Sequence, residues 1–400
     1  MFEILFKMKA VLLLAAFPVE LLALWVVAKS VRALRDGVRG RWSIPTALCL
    51  LHGMPLLFVV WRWASGTLFY GAPTDGKILA ELIGTHVLFG GLLESAQFVL
   101  WALPVLLLLG LAAVTIPARA GRLRNVASAA LLAVFVAASA LVPWRMLRDA
   151  TDITVDRVSR RMPLHSGRSL RVAVLSDIQL DEYTTVPRVR QYIDRVNAEH
   201  PDVVLIAGDE VTGSNGMTLV PALVAQLAML RAPLGVYAVL GDHDVWAGKG
   251  TAKVPALLRA SGITVLDDSV AHIAANGDTV AIAGLTNLSD LPATEASLAA
   301  LLAGVPRGRT MLLTHQCSRA LVRECAEKGV TLIAAGHTHG GQVAVFFFGL
   351  VISSAWASTR YVSGFYDDET FVYVCNGLGY SVLPFRHLAT PSFGIIELHP

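Results

Sequence analysis

The sequence predicts a two-part chain: an α-helical membrane half of about four spans, followed by an alternating α/β domain. Three observations carry this. The 400 residues are 54% hydrophobic and only 16% charged, with a mean hydropathy of +0.58, which excludes a purely soluble enzyme of ordinary composition. Charge is unevenly divided, with an excess of Lys and Arg over residues 1–150 and a slight excess of Asp and Glu after them, inside a total of +3. From residue 169 the apolar runs shorten and begin to end in polar clusters.

The membrane half comes first. Residues 10–28 hold one charge, Glu20, over a length that at 1.5 Å per residue crosses a hydrocarbon core about 30 Å thick. Further apolar runs near 43–61, 95–116 and 125–144 complete the four spans of a transmembrane domain over 1–150, and their number argues against a cleaved signal peptide. The loop after the first span carries Lys29, Arg32, Arg35, Arg39 and Arg41, and that after the third carries Arg119, Arg122 and Arg124. The positive-inside rule puts both loops in the cytoplasm and a domain over 165–400 outside it, although Arg145, Arg148, Arg157, Arg160 and Arg161 pull the other way. The expectation is an integral, multi-pass membrane protein with an extracytoplasmic catalytic domain joined through roughly 145–167.

In the second half the runs LRVAVLSD, DVVLIAGDE, GVYAVLGDHD, TVAIAGL, RTMLLTHQ, VTLIAAGHTHGG and FVYVCNGLG suit strands buried on both faces. Helix-like stretches at 187–199, 219–231, 252–260 and 318–328 lie between several of them. The acidic balance argues against nucleic acid as a partner. Cys49, Cys317, Cys325 and Cys375 form no C-x-x-C, so neither a zinc ribbon nor a disulfide framework is expected. Glycine-rich phosphate loops of the kinase or dehydrogenase kind are absent.

Chemistry in α/β folds gathers at the carboxy ends of strands, and the unusual residues collect there. Asp177 and Gln179 follow the first strand, Asp209 the second, and Asp242, His243 and Asp244 the third. His315 follows a later strand, and His337 and His339 the next, inside Gly336-His337-Thr338-His339-Gly340-Gly341-Gln342. One such residue alone is an ordinary cap or loop side chain. Together they offer mixed oxygen and imidazole donors suited to two divalent transition metals such as Mn, Fe or Zn. His52, His165, His272, His387 and His399 lie outside any cluster, and Cys317 has no oriented partner that would make it a nucleophile.

The ordered series Asp177-x-Gln179, Gly208-Asp209, Gly241-Asp242-His243-Asp244, Thr314-His315 and GHTHGGQ resembles the calcineurin-like metallophosphoesterase superfamily. The tail Gly377-Leu378-Gly379 with Leu383-Pro384-Phe385-Arg386 is similar to its membrane-attached branch, the transmembrane proteins with a metallophosphoesterase domain. The resemblance covers about 168–400 and implies a two-sheet α/β sandwich with metals at its rim. It implies a metal-dependent phosphoric ester hydrolase holding two metal ions, Mn, Fe, Zn or Mg. Asp177, His339 and Gln179 would hold the first, Asp209 would bridge, and Asp242, His315 and His337 would hold the second. His243 would stand near the phosphate, as a general acid or as a hydrogen-bond donor to a nonbridging oxygen.

Two positions depart from that pattern: Gln179 replaces a histidine and Asp242 an asparagine. Glutamine still offers a carbonyl oxygen. An ionised Asp242 offers no donor to phosphate and makes the ligand set one charge less positive, so phosphate attraction should fall. The alternative is a catalytically weak metal- or ligand-binding membrane module of the same fold. The uncharged run 343–357 reads either as a buried strand pair or as a lip that dips into the bilayer interface and admits a lipid-linked phosphodiester. The implied partners are therefore a phosphoester, with a membrane lipid as one candidate, and the bilayer.

Overall fold

Two six-stranded sheets pack face to face, each flanked by helices on its outer side. The computed structural model describes residues 148–400 apart from 166, 181–183, 212–220, 248–252, 276, 343, 348–349, 354, 356–358 and 381–385. All four expected spans lie outside the described residues, as do Leu383, Pro384 and Phe385 of the tail motif. Among the described residues no helix is long and apolar enough to cross a membrane.

The first sheet takes β1 (Thr154–Arg161), β2 (Leu170–Leu175), β3 (Val203–Ile206), β4 (Val236–Ala238), β5 (Thr264–Val265) and the last strand, Ser392–His399. The second takes β6 (Ser269–Ala275), β7 (Asp278–Leu285), β8 (Thr310–Thr314), β9 (Leu332–Ala335), β12 (Gly364–Asp367) and β13 (Phe371–Val374). Between β9 and β12, β10 (Ala344–Phe347) and β11 (Leu350–Ser353) pair only with each other. The run 343–357 thus contains a strand pair. The last strand, β14, lies between β1 and β2. Four neighbouring strands run parallel in each sheet, β2–β3–β4–β5 in the first and β13–β9–β8–β7 in the second. Their carboxy ends are where the polar clusters of the sequence sit.

Burial explains the continuous apolar runs. Val172, Val174, Val203 and Leu205 face the second sheet and meet Val280, Ile282, Met311, Leu313, Leu332 and Tyr373. Alternate residues of the same strands, Ala173, Leu175, Val204 and Ile206, face outward under helix α1 (Val186–Ala198). That helix buries Val189, Tyr192, Ile193 and Val196, one stripe at the 3.6-residue period. On the other side Leu312, Ile333 and Val374 lie under α4 (Glu295–Leu301) and α5 (Arg319–Lys328). A capping box of Thr294 and Ser297 starts α4. Ser318 caps α5, and Gly329 ends it at φ 76°. Two further helices, α2 (Asp242–Ala247) and α3 (Lys253–Ala260), connect β4 to β5.

The expected connection over 145–167 is partly structured: β1 lies inside it and pairs with β14 over its full length, Thr154 opposite Ser392 through Arg161 opposite His399. Its sequence, TVDRVSRR, carries too many charges to look like the buried strands, because it is an edge whose arginines meet solvent. Charged edges of this kind keep a sheet from recruiting other chains. A fragment beginning at residue 165 would strip that cover from β14. We expect it to aggregate or melt well below a fragment beginning at 146, and size-exclusion chromatography with thermal denaturation of the two checks this.

Candidate metal centre

Both sheets deliver donors to one rim. Asp177 follows β2, Asp209 follows β3 and Asp242 opens α2 after β4, while His315 follows β8 and His337 and His339 follow β9. His315 stands among the carboxylates. Its Nε2 lies 3.4 Å from Asp209 Oδ2 and 3.9 Å from Asp242 Oδ2, and 3.3 Å from His337 Nδ1. His337 Nδ1 is also 3.3 Å from Asp242 Oδ2, and His339 Nε2 is 3.3 Å from Asp177 Oδ1. Two overlapping groups place ligand-type atoms within 4.8 Å of one another, Asp242 with His315 and His337, and Asp177 with Asp209 and His315.

The backbone reaches this arrangement through conformations that side chains resist. Asp177, Gln179, Asp209, His337 and His339 have φ of 47°, 43°, 62°, 72° and 51°. Such residues outside glycine cost of order 1–3 kcal/mol each and gather at functional sites. Glycines make room beside them: a Cβ on Gly241 would overlap Asp209 Oδ1, and one on Gly336 would lie 2.5 Å from Asp177 Oδ2.

Asp244 holds the loops together without taking part in the cluster. It accepts from four backbone N–H groups, those of Asp209, Glu210, Val211 and Gly241, at 2.8–3.2 Å. The neighbouring Glu210 carboxyl is buried with no hydrogen-bond partner on either oxygen. Burial and the Asp244 charge push its pKa well up. Asp209 in turn accepts from the His243 N–H at 2.8 Å, and Asp177 Oδ2 from the His337 N–H at 3.0 Å.

Electrostatics follow from burial. Desolvation raises the Asp177 pKa to about 6. Desolvation also acts to raise Asp209, but the His315 imidazolium outweighs it and holds that carboxyl well below the usual range. For His315 burial works downward, yet the Asp209 carboxylate, then Asp177 and Asp242, push its pKa up to about 10. Its Nδ1–H donates to the Ala207 carbonyl at 2.7 Å, which turns Nε2 toward the cluster. His339 is held neutral by burial and then by the Arg386 guanidinium.

The donor set fits metal ions. Gln179 Oε1 is a buried acceptor without a hydrogen bond, while its Nε2 donates to Asp209 Oδ2 at 3.3 Å, so the carbonyl oxygen is left for a cation. The three carboxylates Asp177, Asp209 and Asp242 are at most 2% exposed and share His315 as their nearest common positive charge.

Three contributors to the site lie outside the expected ligand set. Ser289 donates to Asp242 from its backbone N–H at 2.7 Å and from Oγ at 3.0 Å. Gln316 Nε2 donates to Asp242 Oδ2 at 2.8 Å. Arg386 is fully buried and bonds the carbonyls of His339, Gly377, Gly379 and Ala389. The tail motif in the sequence hinted at Arg386 alone. His243 is partly buried and stacks edge-on against Trp246, ring centroids 5.1 Å apart. Of the histidines set aside, the described ones are placed elsewhere: His165 pairs with Asp278, His272 lies on β6, His387 is buried after Arg386 and His399 meets Ser159. Cys317 is a buried free thiol whose pKa burial raises.

A family model described as calcineurin-like phosphoesterase matches residues 170–341. The metallophosphoesterase YkuE of Bacillus subtilis (strain 168) is 31% identical over 237 residues, 58% of this chain and 80% of that protein. The chain belongs to the calcineurin-like phosphoesterase family. It is accordingly a metal-dependent phosphoester hydrolase. Another relative, a Bos taurus protein described as a transmembrane protein with metallophosphoesterase domain, is 32% identical over 246 residues, 58% of this chain but only 53% of its own length.

A testable consequence follows from His315. In metal-free protein its raised pKa stabilises the fold fully below the unfolded value of 6.5, and that contribution is lost as pH climbs through about 10. Metal must displace the same proton. Cation uptake should therefore release protons and tighten from about pH 6 to 9, while the Tm of chelator-treated protein falls over the same range. Calorimetry in buffers of different ionisation enthalpy, with thermal melts, checks both signs.

Proposed function

We propose that the protein is a membrane-anchored dinuclear metallophosphoesterase that hydrolyses a phosphodiester or phosphomonoester. The observation that carries this reading is the convergence on one rim of three buried carboxylates with His315 and His337, in two groups that share His315, and of His339 at 3.3 Å from Asp177. Asp177, His339 and Gln179 would hold one cation, Asp242, His315 and His337 the other, with Asp209 between them. Bound there, a pair of Mn, Fe, Zn or Mg ions supplies charge neutralisation for the phosphoryl group and acidifies a water.

The chain's own residues divide the remaining work. His243 stands beside Asp209 on the amino end of α2, where it can give a proton to the departing ester oxygen as water attacks phosphorus and the P–O bond breaks. Asp242 spends its acceptors on Ser289 and Gln316, which spreads the extra negative charge that an asparagine would not bring. The domains are proposed as a transmembrane part over 1–150 and a metallophosphoesterase domain over 165–400, preceded by β1. The apolar runs of the first 150 residues support the anchor, as does the description of the Bos taurus relative. A lipid-linked phosphoester suits a site tethered to a bilayer.

Asp209→Asn should abolish turnover and lower bound metal from two ions to about one or none. Full metal with unchanged turnover in that variant would end the dinuclear reading. His243→Ala should keep its metal and slow turnover about 10²–10⁴-fold, the usual span for a positioned proton donor. Metal loss there would make His243 a ligand instead. A parent protein that binds metal but hydrolyses no phosphoester in a screen of lipid and nucleotide esters would support the binding module. Protease added outside intact cells or spheroplasts should digest the 165–400 domain; protection until lysis would put it in the cytoplasm.

A further inference from the structure

We propose that Trp246 and Leu291 form an apolar shelf beside the metal centre, and that this shelf binds the organic substituent of the phosphoester and selects esters of a neutral apolar group. The inference rests on the phosphoester reading above and names the substrate class of that site. Trp246 and Leu291 are the two exposed large hydrophobic side chains among the described residues, 39% and 61% open to solvent. Single exposed apolar residues are ordinary. These two are tied to the machinery. Trp246 lies one helical turn after His243, with its ring against that imidazole, and its indole Nε1–H donates to Asp290 Oδ2 at 2.8 Å.

Asp290 belongs to a tight turn in which Leu288 and Leu291 exchange backbone hydrogen bonds of 3.0 and 3.2 Å. Ser289, inside the same turn, clasps Asp242. One turn thus fixes the edge of the indole, carries Leu291 and holds a candidate metal ligand. The indole is pinned in place before anything binds, so a substituent resting on its face incurs little further ordering cost.

Charge narrows the choice. The Asp290 carboxylate, which accepts from the Trp246 indole N–H and directly precedes Leu291, borders the shelf itself. Negative charge along this edge repels a second phosphate on the substituent, which disfavours nucleoside polyphosphates and favours an aromatic ring or alkyl chain.

The test uses the full chain loaded with Mn²⁺ and three non-hydrolysable probes, methyl-, phenyl- and hexylphosphonate, with affinity read by calorimetry. Phenyl- or hexylphosphonate should bind about tenfold more tightly than methylphosphonate, the gain expected for a ring or chain laid on an indole. Tight hexylphosphonate points to a lipid-like chain, and tight phenylphosphonate alone to an aromatic ester. Trp246→Ala should remove most of that preference and Trp246→Phe should keep most of it, with methylphosphonate affinity steady. Leu291→Ser, at an exposed position that needs no refolding, should lower the preference about two- to threefold. It decides the matter if Trp246→Ala loses metal. Equal binding of all three probes by the parent, or a preference untouched in both Trp246→Ala and Leu291→Ser, would overturn the shelf. Failure of every phosphonate to bind would instead overturn the phosphoester reading beneath it.

Discussion

Burial of Asp177, Asp209 and Asp242 around one imidazole is the constraint on which the site depends. Each carboxylate removed from water costs several kcal/mol unless positive charge meets it. His315, raised in pKa for that reason, supplies positive charge to all three. What remains uncompensated is the driving force for cation uptake. The flanking features follow from the need to keep these oxygens together. Asp244 spreads its own charge over four backbone N–H groups. Arg386 gathers carbonyls from both loops that frame His339. The left-handed backbone at five candidate ligands is strain that such cross-bracing can hold.

Asp242 shows how a single departure from a family pattern is absorbed by its surroundings. An asparagine here would set an amide NH₂ against the donors of Ser289 or Gln316. A carboxylate accepts from all three, and its pKa is lowered even though burial acts the other way. Those hydrogen bonds draw charge off the Asp242 oxygens, which would soften the expected loss of phosphate attraction. The residue is matched to its neighbours rather than to the motif.

Much of the fold was legible because two-sided burial leaves a direct trace in sequence. The runs that became β2, β3, β7, β8, β9 and β13 are predominantly apolar, since each strand serves both the core between the sheets and a helical layer outside. The strands that escaped notice lie at the edges or carry mixed patterns. β1 is rich in arginine, β6 alternates over an exposed face and β5 is two residues long. Within the site, residues at strand ends inside recurring motifs could be read. Ser289, Gln316 and Trp246 could not, because their importance comes from what the turn and α2 bring within 3 Å, and no local pattern encodes that proximity.

The position of β14 has a consequence for how the domain is made. This strand, far along the chain from its neighbours, sits between β1 and β2 and joins them into one sheet. Thr154 must find Ser392 across more than two hundred residues of intervening chain. During synthesis one side of β2 therefore stays unpaired until residues 392–399 have been made. Contacts so distant in sequence form late and slowly. Removal of residues 392–399 would open a seam between β1 and β2, beside Asp177.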